Sequence, residues 1–295
     1  MGSFTFTIKP LSDLGNSIRR NRRQWAERQG LATLPENIVA PNLAAPVVYG
    51  RVLVNGRMVF AHKPTNTTVT HMVLVYAAHE IEEFGDVLYS GRTLTRDGSG
   101  RVDETDFAFG WIDIYEHLGA NSQTADQTLI NEAGTDIWTT NHRLRGLAYL
   151  YIQTAWHTVK FITERPEALQ AIIKGAKVFD TRTSTTIYST NPALCLRDYL
   201  TNTKYGLSRP TAEMNDTSFT QAANDCDTQG FTIGGLVSTD MDALDIIDRL
   251  LDAMGGTIQH VNGQYTVKTG IWEAATVTLD EDDLLTGQEP RITPK

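Results

Sequence analysis

From Pro46 onward the apolar residues fall mostly in short runs of β-branched and aromatic side chains, and helical spacing is confined to a few segments. Residues 47–54 and 57–61 are two such runs, and Asn55-Gly56 stands between them. That arrangement predicts a hairpin, because a type I′ turn needs positive φ at both central positions. Residues 67–76 predict another strand, and residues 83–94 read as short paired strands with turns at Gly85-Asp86 and Ser90-Gly91. Asp97-Gly98-Ser99-Gly100 predicts a turn, residues 107–115 a strand, and residues 147–161 a long strand. The polar stretch 116–142 predicts one short helix, around 124–132. Residues 169–180 read two ways. Pro166 opens a helix, or Ala171-Ile172-Ile173 and Lys177-Val178-Phe179 flank Gly175 as a hairpin.

Three helices are expected further on. Asn191-Pro192 is an N-cap followed by proline at the first helical position, with Leu196, Tyr199 and Leu200 on one face. Residues 218–226 predict a second helix, ended by Gly230. Thr239 caps a third, with Asp242 three residues on as a variant capping box. Its core face is expected to be Leu244, Ile247, Leu250, Leu251 and Met254, and Gly255-Gly256 stops it. Residues 257–261 and 264–268 flank Asn262-Gly263, a second Asn-Gly hairpin, and residues 276–279 predict a last strand.

Residues 1–45 read differently. Pro10, Pro35 and Pro41 punctuate them, apolar periodicity is poor, and a helix over 17–28 would be polar all round. They are expected to form an extended N-terminal arm. The rest divides into a first β-domain over 46–165, a connector over 166–210, and a second domain with helices and a hairpin over 211–295. Each half has strands and an Asn-Gly pair, so the halves read as related domains of a β-rich α+β fold.

Composition narrows the function. Of 295 residues, 41% are hydrophobic and 21% charged, which affords a core and excludes wholesale disorder. The apolar run from Met72 to Ala78 is far short of the roughly 18 residues that cross a bilayer. Residues 1–10 lack a basic start followed by an apolar stretch, so no signal peptide is expected. The net charge of −9 argues against a nucleic-acid binder using its whole surface. The charge is uneven. Arg19, Arg20, Arg22 and Arg23 lie in the arm, and Asp280, Glu281, Asp282 and Asp283 lie near the far end. Opposite charge at the two ends suits contacts between neighbouring chains. Cys195 and Cys226 define neither a disulfide framework nor a metal quartet, and read as buried packing residues of a chain made in a reducing cytoplasm.

Catalytic motifs are absent from the sequence. It has no phosphate-binding Gly-x-x-x-x-Gly-Lys loop, no Gly-x-Gly-x-x-Gly and no Gly-x-Ser-x-Gly elbow. His79-Glu80-Ile81-Glu82-Glu83 starts like a zinc-protease helix, but Glu83 stands where the second histidine is required. His62 and His71 are the nearest other ligands, and a three-histidine site is a minor alternative to ordinary strand-end residues. The acidic loop from Asp97 to Asp106 carries Arg101 where a calcium loop wants oxygen. No catalytic residue, metal site or cofactor is assigned.

Three stretches resemble the tail-tip hub proteins of long-tailed bacteriophages, the family of the lambda-type tip attachment protein J. The first is residues 46–56. The second is 174–182 followed by 188–200, with Asn191-Pro192 at its centre. The third is 255–265, then Gly270-Ile271-Trp272 and 279–284. They occur in the family's order, and the second favours the hairpin reading around Gly175. The resemblance implies a homotrimer in which each chain gives two β-barrel-like hub domains to a six-fold tail tube. Its implied partners are the distal tail protein, the tape measure protein and other tail-tip proteins, with DNA passing through the lumen without sequence-specific binding. It implies a virion tail-tip location and no active site. Family members run longer, with fibronectin-like modules and a receptor-binding tip, so receptor binding is not carried over. The rival expectations are a tail-associated cell-wall hydrolase and a host receptor-binding adhesin.

Overall fold

The structure, a computed structural model, describes residues 44–65, 67–89, 91–102, 112–155, 169–238 and 241–272. The arm arginines, the acidic run Asp280–Asp283, Thr239 and the strand expected at 276–279 lie outside the described residues.

The first half is built on two open sheets. Strands β1 (Val47–Tyr49), β2 (Arg51–Asn55), β3 (Arg57–His62), β4 (Val69–Ala77), β5 (Ile81–Tyr89) and β6 (Arg92–Thr93) lead to β7 (Ile112–His117) and β8 (Ala148–Ala155). Strand β9 (Leu169–Asp180) follows, then β10 (Thr185–Tyr188). One sheet runs β3-β4-β8-β7. The other runs β10-β9-β5-β6, with β2 also on β9. Their facing sides share one buried core that includes Val54, Leu74, Tyr76, Val87, Ile114, Leu150 and Ile173. On the other side of the β3-β4-β8-β7 sheet, helix α1 (Gln127–Ala133) and Trp138 cover Val73, Val75, Tyr149 and Tyr151.

Two hairpin expectations are corrected. Asn55-Gly56 does not join paired strands: β2 pairs with β9 and β3 pairs with β4. The dipeptide is a corner where the chain passes from one sheet to the other. A β-carbon at Gly56 would stand 2.6 Å from Leu74 Cδ2 and 2.8 Å from the Tyr76 hydroxyl, so glycine is required there by close packing, not by a turn. Likewise β9 runs unbroken through Gly175, and its hairpin turn comes later, over 181–184, into β10. Glycine at 175 serves a crossing. Its N–H donates to the Gly50 carbonyl at 2.8 Å, and a β-carbon would stand 2.1 Å from the Val48 carbonyl oxygen.

The second half packs helices α2 (Pro192–Thr201), α3 (Asp216–Gln229) and α4 (Ala243–Asp252) with the hairpin β12 (Thr257–Val261) and β13 (Gln264–Lys268). Here the Asn-Gly reading holds: Asn262 and Gly263 have φ of 53° and 79°, and β12 pairs antiparallel with β13. Helix α4 is corrected. Asp242 is its cap, accepting the Leu244 N–H at 2.8 Å, and Ile246, Leu250 and Leu251 form the buried face. Leu244 is 69% exposed. It lies two residues from Ile246, about 200° round a helix, so it cannot share that face. Strand β11 (Gly235–Val237) pairs antiparallel with β1 and ties the two halves together.

The described chain is therefore β-rich α+β, as the strand runs predicted. Among the described residues no sheet closes into a barrel.

Candidate functional site

The junction between the two cores concentrates the polar chemistry. It forms because β1, Gly50 and β2 are continuous: β1 contributes Val48 to the sandwich core, and Val47 and Tyr49 to the helical one. Three backbone contacts anchor the even positions of this segment. Ala78 N–H donates to the Pro46 carbonyl at 2.9 Å, Val48 N–H donates to His79 Nε2 at 2.9 Å, and Gly175 N–H donates to the Gly50 carbonyl at 2.8 Å.

His79 is thereby committed at both nitrogens. Its Nδ1 stands 2.8 Å from the Glu80 carbonyl, which only accepts, so Nδ1 carries the proton and Nε2 is bare. Burial holds the imidazole's pKa below its ordinary value, partly opposed by the Glu80 contact. Beside it, the Tyr205 ring lies 5.7 Å from the imidazole. The Tyr205 hydroxyl donates to Asp198 Oδ2 at 3.0 Å, and the Tyr49 hydroxyl donates to the same oxygen at 2.6 Å. Burial pushes the Asp198 carboxyl up, while the two phenols and Asn202 pull it back. Burial, and then the Asp198 charge, push the Tyr49 phenol well above its usual range. These groups satisfy one another, as buried polar groups must. They form a locked hydrogen-bonded junction.

Next to it, the Asn191 side chain works in two directions. Its Oδ1 accepts from Ala193 N–H at 3.1 Å and Leu194 N–H at 3.4 Å, capping α2. Its Nδ2 donates to the Ala223 carbonyl at 2.9 Å and to Asp227 Oδ1 at 2.8 Å, both on α3. Arg182, in the turn after β9, pairs with Asp180 and Asp227 and fastens that turn to the same helix.

A second polar group borders a cavity of about 430 Å³ lined by His79, Lys177, Asn202, Lys204 and Tyr205. There Lys177 is paired with Glu80 at 3.0 Å. A third lies at the outer sheet. Asp126 caps α1 through Leu129 N–H at 2.7 Å and holds His117 Nε2 at 2.7 Å, and the His117 ring stacks on Tyr149 at 4.3 Å. A histidine–aspartate pair is half of a nucleophile-activating array. Here no hydroxyl or thiol is hydrogen-bonded to His117 among the described residues.

His62 and His71 face each other across β3 and β4. His79 is held at the junction instead, and no group of three histidine, cysteine or acidic side chains with metal-binding geometry occurs among the described residues. Cys195 and Cys226 are buried and not joined in a disulfide, and burial raises both thiols, Cys226 to about 11. Tyr49, Asp198 and Tyr205 had not been singled out from the sequence. Asp198 lies on α2 between Arg197 and Tyr199, where a charge followed by an apolar residue is an ordinary helix-surface pattern.

No family model and no curated protein matches the chain. Among solved structures it is similar to a chain in the virion of a native gene transfer agent particle, at 14% identity and a TM-score of 0.49. The likeness covers 85% of this chain and 59% of that chain.

Proposed function

We propose that this chain is a structural protein of a phage-like virion, the tail-tip hub that closes the distal end of the tail tube and takes part in tail assembly and genome delivery. One observation carries the reading. The three stretches that resemble hub proteins are far apart in sequence, yet they build one body. The first supplies Val47, Tyr49 and Gly50. The second supplies Gly175, Ala176, Val178, Leu194 and Leu196. The third supplies Ile258 and Tyr265. Residues that resemble one family in this way thus meet in this chain's second core.

The hub acts as a homotrimer, and its partners are the distal tail protein, the tape measure protein and other tail-tip proteins. DNA passes along the lumen without sequence-specific contact. The junction suits this work, because a fully paired polar seam holds two cores at a set angle under load. Imaging of assembled tail tips tests the proposal: three copies of this chain around the tube axis are expected, and two-fold or six-fold copy number refutes it. A turbidity assay on cell walls tests the hydrolase alternative, which predicts clearing by the purified chain.

A further inference from the structure

Strand β11 has one edge without a partner among the described residues. The even positions of the β1 segment direct their backbone groups toward Ala78, His79 and Gly175. The groups exchanged with β11 are therefore those of the odd positions, Val47 with Val237 and Tyr49 with Gly235. That register turns the N–H and C=O of Leu236 outward. Leu236 and Val237 also line a groove of about 510 Å³ between β11 and α4, which Met241, Ile246, Leu250 and Ala253 line together with Arg249 and Asp252. An open strand edge beside an apolar wall is a template for one more strand.

The chain itself contains a segment of that chemistry. Phe4, Phe6 and Ile8 alternate with Thr5, Thr7 and Lys9, and Pro10 follows. Strict period-two alternation gives an extended segment one apolar side, and proline ends its ability to pair. The charge pattern adds a second match. Asp242, the cap of α4, and Asp245, Asp248 and Asp252 are exposed along this helix against one arginine, Arg249; Asp252 and Arg249 line the groove itself, and the four arginines of 19–23 come ten residues after the apolar segment.

We propose that residues 3–9 of this chain add as a strand to the Leu236 edge of β11, laying their phenylalanines against α4, with the arginines drawn to its acidic side. This does not rest on the hub reading. The test uses the full chain with Leu236→Cys and a second cysteine placed in turn at positions 4 to 8. Native Cys195 and Cys226 are buried and do not compete. A disulfide needs Cα atoms within roughly 7 Å and side chains on one face. Strand addition therefore predicts cross-linking at every second position, within one chain or between two. Cross-linking that is uniform along 4–8, absent, or equally efficient with a cysteine at exposed Val59 overturns the proposal. A second measurement avoids the cysteines. The Leu236 amide is expected to exchange with solvent at least about tenfold faster in the chain carrying Phe4→Asp and Phe6→Asp than in the native chain. Equal exchange in the two also overturns it.

Discussion

His79 Nε2 accepts the Val48 N–H at 2.9 Å, and this bond exists only while the imidazole is neutral. A protonated ring would present a second N–H to a backbone N–H. The Glu80 carbonyl and the Tyr205 ring lie beside the imidazole, and His79 borders the same cavity as Lys177 and Lys204. The bond joins the start of β5 to β1, and β1 carries β11, so one protonation event reaches the seam between the two cores.

A pH prediction follows from the lowered pKa of His79. Between that lowered value and the ordinary value near 6.5, the unfolded chain binds more protons than the folded one. Stability is therefore level above about pH 6.5 and falls as the pH drops below it, by at most about 1.4 kcal/mol per pH unit from this group. His71 is shifted the same way by burial and adds to the slope. Melting temperatures from pH 8 to 5 are expected to fall less steeply for His79→Gln than for the native chain. Parallel curves would show that His79 does not titrate against the fold.

Asn191→Ala removes a cap and a tie between helices together. Loss of the cap costs about 1 kcal/mol. Loss of the amide donor removes its bonds to the Ala223 carbonyl and to Asp227, which costs about 1 kcal/mol more. Denaturant unfolding should therefore show about 2 kcal/mol of destabilisation. Asn191→Asp keeps the acceptor and sets a carboxylate beside Asp227, so it should also destabilise. If Asn191→Asp matches the native chain, the tie to α3 contributes nothing.

Gly175→Ala should be among the most damaging single-methyl additions in the chain. Its β-carbon would stand 2.1 Å from the Val48 carbonyl oxygen, and both strands at that crossing are held by neighbours. Backbone displacement of this kind costs about 3 kcal/mol. Gly98→Ala is the control: nothing lies within 4 Å of a β-carbon there, and a change within about 0.5 kcal/mol is expected. Similar unfolding midpoints for the two variants would show that β1 and β9 separate easily.

On the proposed hub role, replacing Arg19, Arg20, Arg22 and Arg23 with glutamine is expected to weaken assembly with the partner proteins in a salt-dependent way and leave the melting of the core unchanged. A guanidinium is able to pair with two carboxylate oxygens at once, and added salt screens such an attraction. Normal assembly of the quadruple variant at every salt concentration would remove the arm from the assembly contacts.

The parts of this fold that were legible in the sequence are those set by neighbours in the chain. Asn262-Gly263 forms its hairpin because both residues take positive φ at little cost and the flanking runs pair in register across them. Asn191-Pro192 starts α2 because capping is satisfied within one turn. Asn55-Gly56 carries the same local signal as Asn262-Gly263 and does something else. Its flanking strands pair with β9 and β4 and not with each other, and the chain turns a corner between sheets. A glycine between two apolar runs reads as a turn at position 175, and only the passage of β1 across β9 gives Gly175 its role. The sandwich, the junction of His79, Tyr49, Asp198 and Tyr205, and the open edge at Leu236 bring together residues more than a hundred positions apart. Local propensity determines which strands and helices form. Which strand covers which, and which polar groups meet at the seam, is decided by the burial of whole faces, a property of the assembled tertiary structure.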